Sequence, residues 1–386
     1  MSVYLDNAAS TGVHPEVVEA MLPFFREHFG NPSSHHTAGT FVHESVEAAR
    51  GFISSVVNAE PDELLFTSGG TEADHLALVG ASLLAPANRR HIIVSAIEHQ
   101  AVLRAAEQLS QNGFSLTILN PDADGIIQAE AVAAAIRPDT FLVSVMMVNN
   151  EVGTIQPLEK ISAVLKPQGI LFHSDAVQAL GKIPLDVRKL GVDLLSMSAH
   201  KIHGPKGIGA LFVREGVRLK PLLPGGGQEH GIRSGTENVP AIVGFAKAIE
   251  IANASLARTA NRVLALREKL ESALLSALPR SKRATSSPHR SPYIANIIFP
   301  MVDNSYLLNR LDAAGIYVTS GSACASHSLE PSHVLIAMGV PEGLARSAIR
   351  FSLSSLTTEE EINHAIRSVT EVVEPFISEL TAESIA

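Results

Sequence analysis

Leu194-Leu195-Ser196-Met197-Ser198-Ala199-His200-Lys201 reads as a buried strand that ends on hydroxyl, imidazole and ammonium groups. It opens into the glycine-rich run Gly204-Pro205-Lys206-Gly207-Ile208-Gly209. A lysine at a strand end, crowded by such groups and by backbone N–H, is placed to condense with an aldehyde while its neighbours hold an anion. Pyridoxal phosphate carries both groups. A solvated lysine in a Gly/Pro turn is the competing reading, because lysine is mostly exposed.

Outward from this stretch, strand-like and amphipathic segments alternate. β-rich runs recur at 63–67, 91–95, 115–119, 141–148, 170–173, 194–197 and 209–213, and apolar residues at helical spacing occupy 101–109, 129–136, 158–165 and 184–190. The alternation predicts an α/β fold with a largely parallel sheet. Ligands of such sheets bind at the carboxyl ends of the strands. From 238 to 278 the periodicity is helical almost without interruption, which predicts a helix bridging two domains, and the Ser/Pro/Arg-rich stretch 281–292 follows as a surface connection. Strands at 294–299, 316–319 and 348–353, with helices at 304–314, 331–338 and from 358, predict a smaller α+β domain.

Composition narrows the chemistry. The 386 residues are 46% hydrophobic and 18% charged, which suits about two globular domains. A net charge of −9 with no Lys/Arg cluster gives no electrostatic footprint for nucleic acid or an anionic membrane. The opening Met1-Ser2-Val3-Tyr4-Leu5-Asp6 is not a basic, apolar leader and the apolar runs are too short to span a bilayer, so the expected location is the cytoplasm. The single cysteine, Cys324, excludes an intrachain disulfide and a Cys-based zinc cage, and the 16 histidines show no His-Glu-x-x-His spacing, so no metal site is expected.

Five further segments carry chemistry. Thr67-Ser68-Gly69-Gly70-Thr71-Glu72 joins a strand to a helix and offers N–H groups and a hydroxyl to a phosphate; an ordinary βα turn with an N-capping threonine is the alternative. Its spacing fits neither a Walker loop nor G-x-G-x-x-G. Asp175, in Phe172-His173-Ser174-Asp175-Ala176-Val177-Gln178, sits at a strand end, where it can pair with a pyridinium nitrogen or cap a helix. His99, in Glu98-His99-Gln100, can stack on a cofactor ring and move protons, or serve structurally. Cys324 lies in Thr319-Ser320-Gly321-Ser322-Ala323-Cys324-Ala325-Ser326-His327, whose lack of apolar periodicity predicts a mobile surface loop with an accessible thiol. Arg350, in a strand-like run, needs an anion; a substrate carboxylate and an internal salt bridge both qualify.

With these residues in order, the chain resembles the cysteine desulfurases of the class V aminotransferase group. The likeness runs nearly full length, from Tyr4-Leu5-Asp6-Asn7-Ala8-Ala9-Ser10 through Phe29-Gly30-Asn31-Pro32-Ser33-Ser34 and Val148-Asn149-Asn150-Glu151-Val152-Gly153 to Arg350. It implies a fold type I pyridoxal-phosphate enzyme, with a large domain (residues 11–258) around a mainly parallel seven-stranded sheet and a small α+β domain (1–10 and 259–386) carrying Cys324. By the same resemblance Lys201 bonds the cofactor, Asp175 pairs with its ring nitrogen, His99 stacks as acid/base, and Gln178 and Asn150 make polar contacts. Gly70, Thr71, Ser198 and His200 hold the phosphate, joined by Thr236 from the other subunit of a homodimer. Arg350 and Asn150 grip the carboxylate of L-cysteine, and Cys324 takes the sulfur as a persulfide for a protein acceptor, such as an iron–sulfur scaffold. The Ser-Gly-Ser-Ala-Cys setting is similar to the NifS/IscS-like group. A transaminase or C–S lyase would share the cofactor site and give Cys324 no role.

Overall fold

The computed structural model describes residues 1–300, 302–321 and 330–383, with the backbone course alone for 377–383. Its strands are β1 (Val3–Tyr4), β2 (Leu64–Thr67), β3 (His91–Ser95), β4 (Ser115–Leu119), β5 (Thr140–Ser144), β6 (Leu171–Asp175), β7 (Leu194–Ser198), β8 (Gly209–Val213), β9 (Lys282–Arg283), β10 (Ile294–Ile298), β11 (Ile316–Tyr317) and β12 (Ala348–Ser352). Seven of them form one sheet in the order β2-β8-β7-β6-β5-β3-β4. All neighbours from β7 to β4 pair in parallel, whereas β8 is antiparallel to both β7 and β2. The link from Ser198 to Gly209 is too short for a crossover helix, so the chain turns straight back. Gly209 fits there because a Cβ would meet the Met197 carbonyl oxygen at 2.5 Å.

Side chains alternate across this sheet, and each face has its own core. Ile93, Val143, Phe172 and Leu195 point to one side, under the helices Pro15–Arg26, Thr37–Val56, Leu158–Leu165 and Val239–Ala254. Ile92, Val94, Leu142 and Leu194 point to the other, under Gly70–His75 and Gln100–Gln111. A third core surrounds the antiparallel sheet β12-β10-β9 and the parallel pair β1-β11, packed by the helices Leu256–Ala277, Asn304–Ala313 and Glu359–Glu383. Val3 and Leu5 belong to it, so the start of the chain is built into its C-terminal part.

Several expectations change. The strand expected at 141–148 ends at Ser144, because the Met146 N–H turns aside to donate to Glu98 Oε1 at 2.7 Å. The helix expected over 238–278 breaks at Ser255 into two segments bent by 74°. Ser255 Oγ lies 3.0 Å from Thr259 Oγ1, a local hydroxyl contact of the kind that competes with helix geometry. Helices Pro15–Arg26 and Thr37–Val56 were not foreseen; their N-caps are the Nδ1 atoms of His14 and His36, not Ser, Thr, Asp or Asn. Of the helix expected at 184–190, only Val187–Leu190 forms, capped by Asp186.

The stretch 281–292 is not a surface connection. β9 pairs within it, Ser291 is buried, and Arg290 Nη1 and Arg283 Nε reach the buried Glu271 at 2.7 and 2.9 Å. Arg267, also buried, donates to the Ser291 carbonyl. Burial pushes the Glu271 carboxyl up, but the hydrogen bond and charge of Arg290, with Arg267 and Arg283, outweigh it and hold the group below the usual carboxylate range. A depressed folded pKa gives stability that is present above the unfolded value and is lost as pH falls through the folded one. Glu271→Gln, leaving the buried Arg267 and the largely covered Arg290 without their counter-ion, is expected to cost on the order of 3 kcal/mol near pH 7 in urea unfolding. The gap from wild type should narrow below about pH 4. Equal midpoints near neutrality would refute this role for Glu271.

Candidate active site

The carboxyl ends of the central strands converge on one cavity of about 220 Å3, lined by Gly70, Thr71, Asp74, His99, Asn150, Asp175, Gln178, Ser198, His200, Lys201 and Arg350. Asp175 and Ser198 are the last residues of β6 and β7, and Lys201 ends the 3-10 turn Ala199–Lys201 that follows. Lys201 Nζ donates to the carbonyls of Ala8 and Ala9 at 2.8 and 2.7 Å, so the N-terminal segment forms one wall. Thr236 is exposed and does not line this cavity. Cys324 and the loop expected around it lie outside the described residues.

Three carboxyls are buried at the inner end: Asp74, Glu98 and Asp175. Burial lifts all three above the usual range, Glu98 to about 8, and repulsion from Asp175 adds to the lift at Asp74 and Glu98. At Asp175 alone the positive fields of His99 and Lys201 work against it, and the Val177 N–H donates to its Oδ1 at 2.8 Å. Asp175 is therefore the member of the trio suited to carry charge. Behind it, His173 bridges Ser144 and Ser196 at 2.8 and 3.0 Å, and burial lowers its pKa to about 3, so the imidazole is neutral.

His99 serves structure and site together. Its Nδ1 accepts from the Ala101 N–H at 3.1 Å, capping Gln100–Gln111 and placing the proton of the neutral ring on Nε2. Burial lowers its pKa, opposed by Asp175 and reinforced by Lys201 and His333.

The opposite end is a cradle for an anion. Thr71 follows Gly70 at the start of Gly70–His75, and a Cβ on Gly70 would meet Val177 Cγ2 at 2.8 Å, so only glycine lets this helix start approach so closely. Ser198 Oγ is buried there without a hydrogen-bond partner among the described residues. His200, tied to Ser10 Oγ at 3.2 Å, is lowered to about 4 by burial and by Lys201, Lys206 and Lys182. A phosphate satisfies the orphaned hydroxyl and the helix N–H groups, and a protonated ring nitrogen satisfies buried Asp175. These residues fit pyridoxal phosphate.

At Arg350 the structure shows the internal salt bridge. It is 1% exposed; its Nη2 pairs with Asp6 Oδ1 at 2.7 Å and its Nη1 donates to the Asn150 carbonyl at 2.9 Å, while Nε has no partner among the described residues. The internal salt bridge exists, and the guanidinium still lines the cavity. Asp6, Asp74, Glu98 and Lys182 are site residues that the sequence reading missed. Asp6 and Glu98 stood within quoted motifs, but their partners lie far off in the chain and no spacing marks them. Asp74 follows Thr71 at i+3, a helical spacing that could have flagged it.

The aminotransferase class-V family model matches residues 3–364. The chain is 45% identical to a curated protein named cysteine desulfurase IscS from Methanosarcina thermophila, over 97% of this chain and 92% of that one. It superposes on a solved NifS-like protein with a TM-score of 0.91 and 41% identity, covering 97% of this chain and all of the other. A structure described as SspA in complex with cysteine gives a TM-score of 0.82 at 37% identity, over 92% of this chain and all of that one. The chain belongs to the aminotransferase class-V family, and within it to the NifS/IscS-like cysteine desulfurases.

Proposed function

We propose that the chain converts L-cysteine to L-alanine and moves the substrate sulfur onto Cys324, whose thiol becomes a persulfide for delivery to an acceptor protein. The observation that carries this reading is one cavity lined by Lys201, Asp175, His99 and Arg350, in a chain whose relatives bear the desulfurase name. Pyridoxal phosphate, when bound, supplies an electrophilic aldehyde and a ring that draws electron density from the substrate Cα. Lys201 would bond the cofactor through Nζ and, once released, its amine would be the base for the Cα proton. Asp175 would pair with the ring nitrogen, and His99, whose Nε2 carries the proton of the neutral ring, would be the acid/base beside it. Gly70, Thr71, Ser198 and His200 would hold the phosphate, and Gln178 and Asn150 would make further polar contacts. Arg350 and Asn150, both in the cavity lining, receive the substrate carboxylate.

The overall change balances: one thiol sulfur leaves the substrate Cβ for the Cys324 sulfur, the Cβ gains a proton, and alanine remains. Support for Cys324 comes from its flanks. Ser332 Oγ donates to Glu151 Oε2 at 2.5 Å, and a Cβ on Gly321 would stand 3.3 Å from the same oxygen, so the chain leaves and re-enters the described residues beside the Asn150-Glu151 wall.

A homodimer completes the reading. Thr236 is exposed and is not in the lining of the cavity, while Glu72, in the helix that starts at Gly70, accepts from Arg233 Nε at 2.7 Å and so ties the Thr236 turn to the phosphate cradle. Phe25 and Phe29, 62% and 80% exposed, form an apolar surface that a second copy would cover. A cytoplasmic location and an iron–sulfur scaffold as acceptor belong to this proposal.

Lys201→Ala is expected to lose the visible absorbance of bound cofactor and all turnover; a variant with a borohydride-reducible cofactor link overturns the assignment. Asp175→Ala should retain part of the cofactor and lose about 100-fold or more in Cα-proton exchange. Cys324→Ser should keep the cofactor and bind L-cysteine, yet produce neither alanine nor a protein sulfur adduct by mass spectrometry. Pyruvate and free sulfide from either protein would favour a C–S lyase. Sedimentation of an active monomer would remove Thr236 from the site.

A further inference from the structure

Gln178 and Lys182 follow β6 at a spacing of four residues, and both are buried. Lys182 Nζ donates to Gln178 Oε1 at 2.7 Å, and Gln178 Nε2 donates to the Ala8 carbonyl at 2.9 Å. The same carbonyl accepts from Lys201 Nζ at 2.8 Å. The direction of this chain is fixed at both ends. An ammonium only donates and a carbonyl only accepts, so the amide between them has one orientation.

Behind Lys201 lies a second cavity, of about 210 Å3, which meets the cofactor pocket at that residue. Its ionisable lining groups among the described residues are Lys182, Lys201, His14, His203 and Tyr293, with no Asp or Glu among them. The Tyr293 ring centroid is 5.9 Å from Lys182 Nζ, and the Arg350 charge adds to the repulsion felt by Lys182. Burial first, then Lys201 and Arg350, bring Lys182 down to about 7. While protonated, Lys182 repels Lys201 across a dry wall; from the cofactor pocket Asp175 opposes this repulsion at Lys201 and His99 adds to it.

We propose that Lys182 is a positioning residue of the active site: it fixes the Gln178 amide against the N-terminal wall, and its charge lowers the proton affinity of the nitrogen of Lys201. The proposal rests on Lys201 as the cofactor-bearing lysine. The two functions separate by substitution. Lys182→Gln keeps a donor for Gln178 and removes only the charge; Lys182→Met removes both; Lys182→Arg keeps both.

The experiment is a pH titration of the visible absorbance of the holoenzyme, with cofactor retention measured by dilution. Removing a positive charge favours the protonated form, so Lys182→Gln should raise the midpoint, on the order of one pH unit. Lys182→Arg should stay close to wild type. Lys182→Met should raise the midpoint and lose cofactor several-fold faster than Lys182→Gln; if it does not fold, the glutamine and arginine variants carry the test alone. A midpoint in Lys182→Gln equal to that of wild type overturns the electrostatic role, and equal cofactor retention in the methionine and glutamine variants overturns the positioning role. A purely structural lysine would lower the melting temperature and leave the midpoint in place. Failure of the Lys201 assignment is distinct, because wild type itself would then show no titrating band.

Discussion

A guanidinium sealed from water must have its charge answered within the protein, and Arg350 is that constraint here. Its partners come from two distant places: Asp6 at the start of the chain and the Asn150 carbonyl beyond β5. Pairing them draws the N-terminal segment against β12, where Asn7 Nδ2 donates to the Ser352 carbonyl and the Ala8 N–H to Ser352 Oγ. With residues 6–9 held in this way, the Ala8 and Ala9 carbonyls face Lys201. The wall of the cofactor pocket thus follows from the pairing of one buried guanidinium. Losing Asp6 would leave that charge desolvated at a cost of about 3–5 kcal/mol, which sets the geometry more sharply than apolar contact does.

The same low dielectric sorts the titratable groups of the pocket. Carboxyls gather at one end, and burial makes Asp74 and Glu98 poor carriers of charge, leaving it to Asp175 beside His99 and Lys201. The imidazoles of His173 and His200 are held neutral, so near the strand ends the positive charge is concentrated on lysine and arginine. Groups of one kind are pushed apart in proton affinity by place alone, the arrangement that lets one pocket hold both an acid and a base near neutral pH.

Much of this was legible in the sequence because it is local. The strand ends carrying Asp175 and Lys201, and the turn with Gly70 and Thr71, are read from period-2 apolar runs that stop at polar residues, and the parallel sheet follows from their alternation with helical segments. What was not legible is non-local or uses unusual caps. His14 and His36 start helices through Nδ1, a signal that ordinary capping preferences do not contain. Asp6 and Arg350 are separated by 344 positions, so the salt bridge that competed with substrate binding could be posed but not located. The stretch 281–292 has the composition of an exposed linker; its arginines are drawn inward because the buried Glu271, on another element, receives them.

The buried charges lie where segments distant in sequence meet. Arg50 joins the helix Thr37–Val56 to Glu229 and the Leu64 carbonyl, Glu271 gathers Arg283 and Arg290, and Arg350 holds Asp6. Apolar burial stabilises these junctions without selecting one register, because it has no direction. A carboxylate and a guanidinium in a dry interior accept few arrangements, so a small shift costs more than the same shift between methyl groups. A cavity lined from seven separate stretches needs that selectivity. The polar seams therefore contribute less to the depth of the native minimum than to its narrowness, and that narrowness keeps Lys201, Asp175 and Arg350 on one cavity.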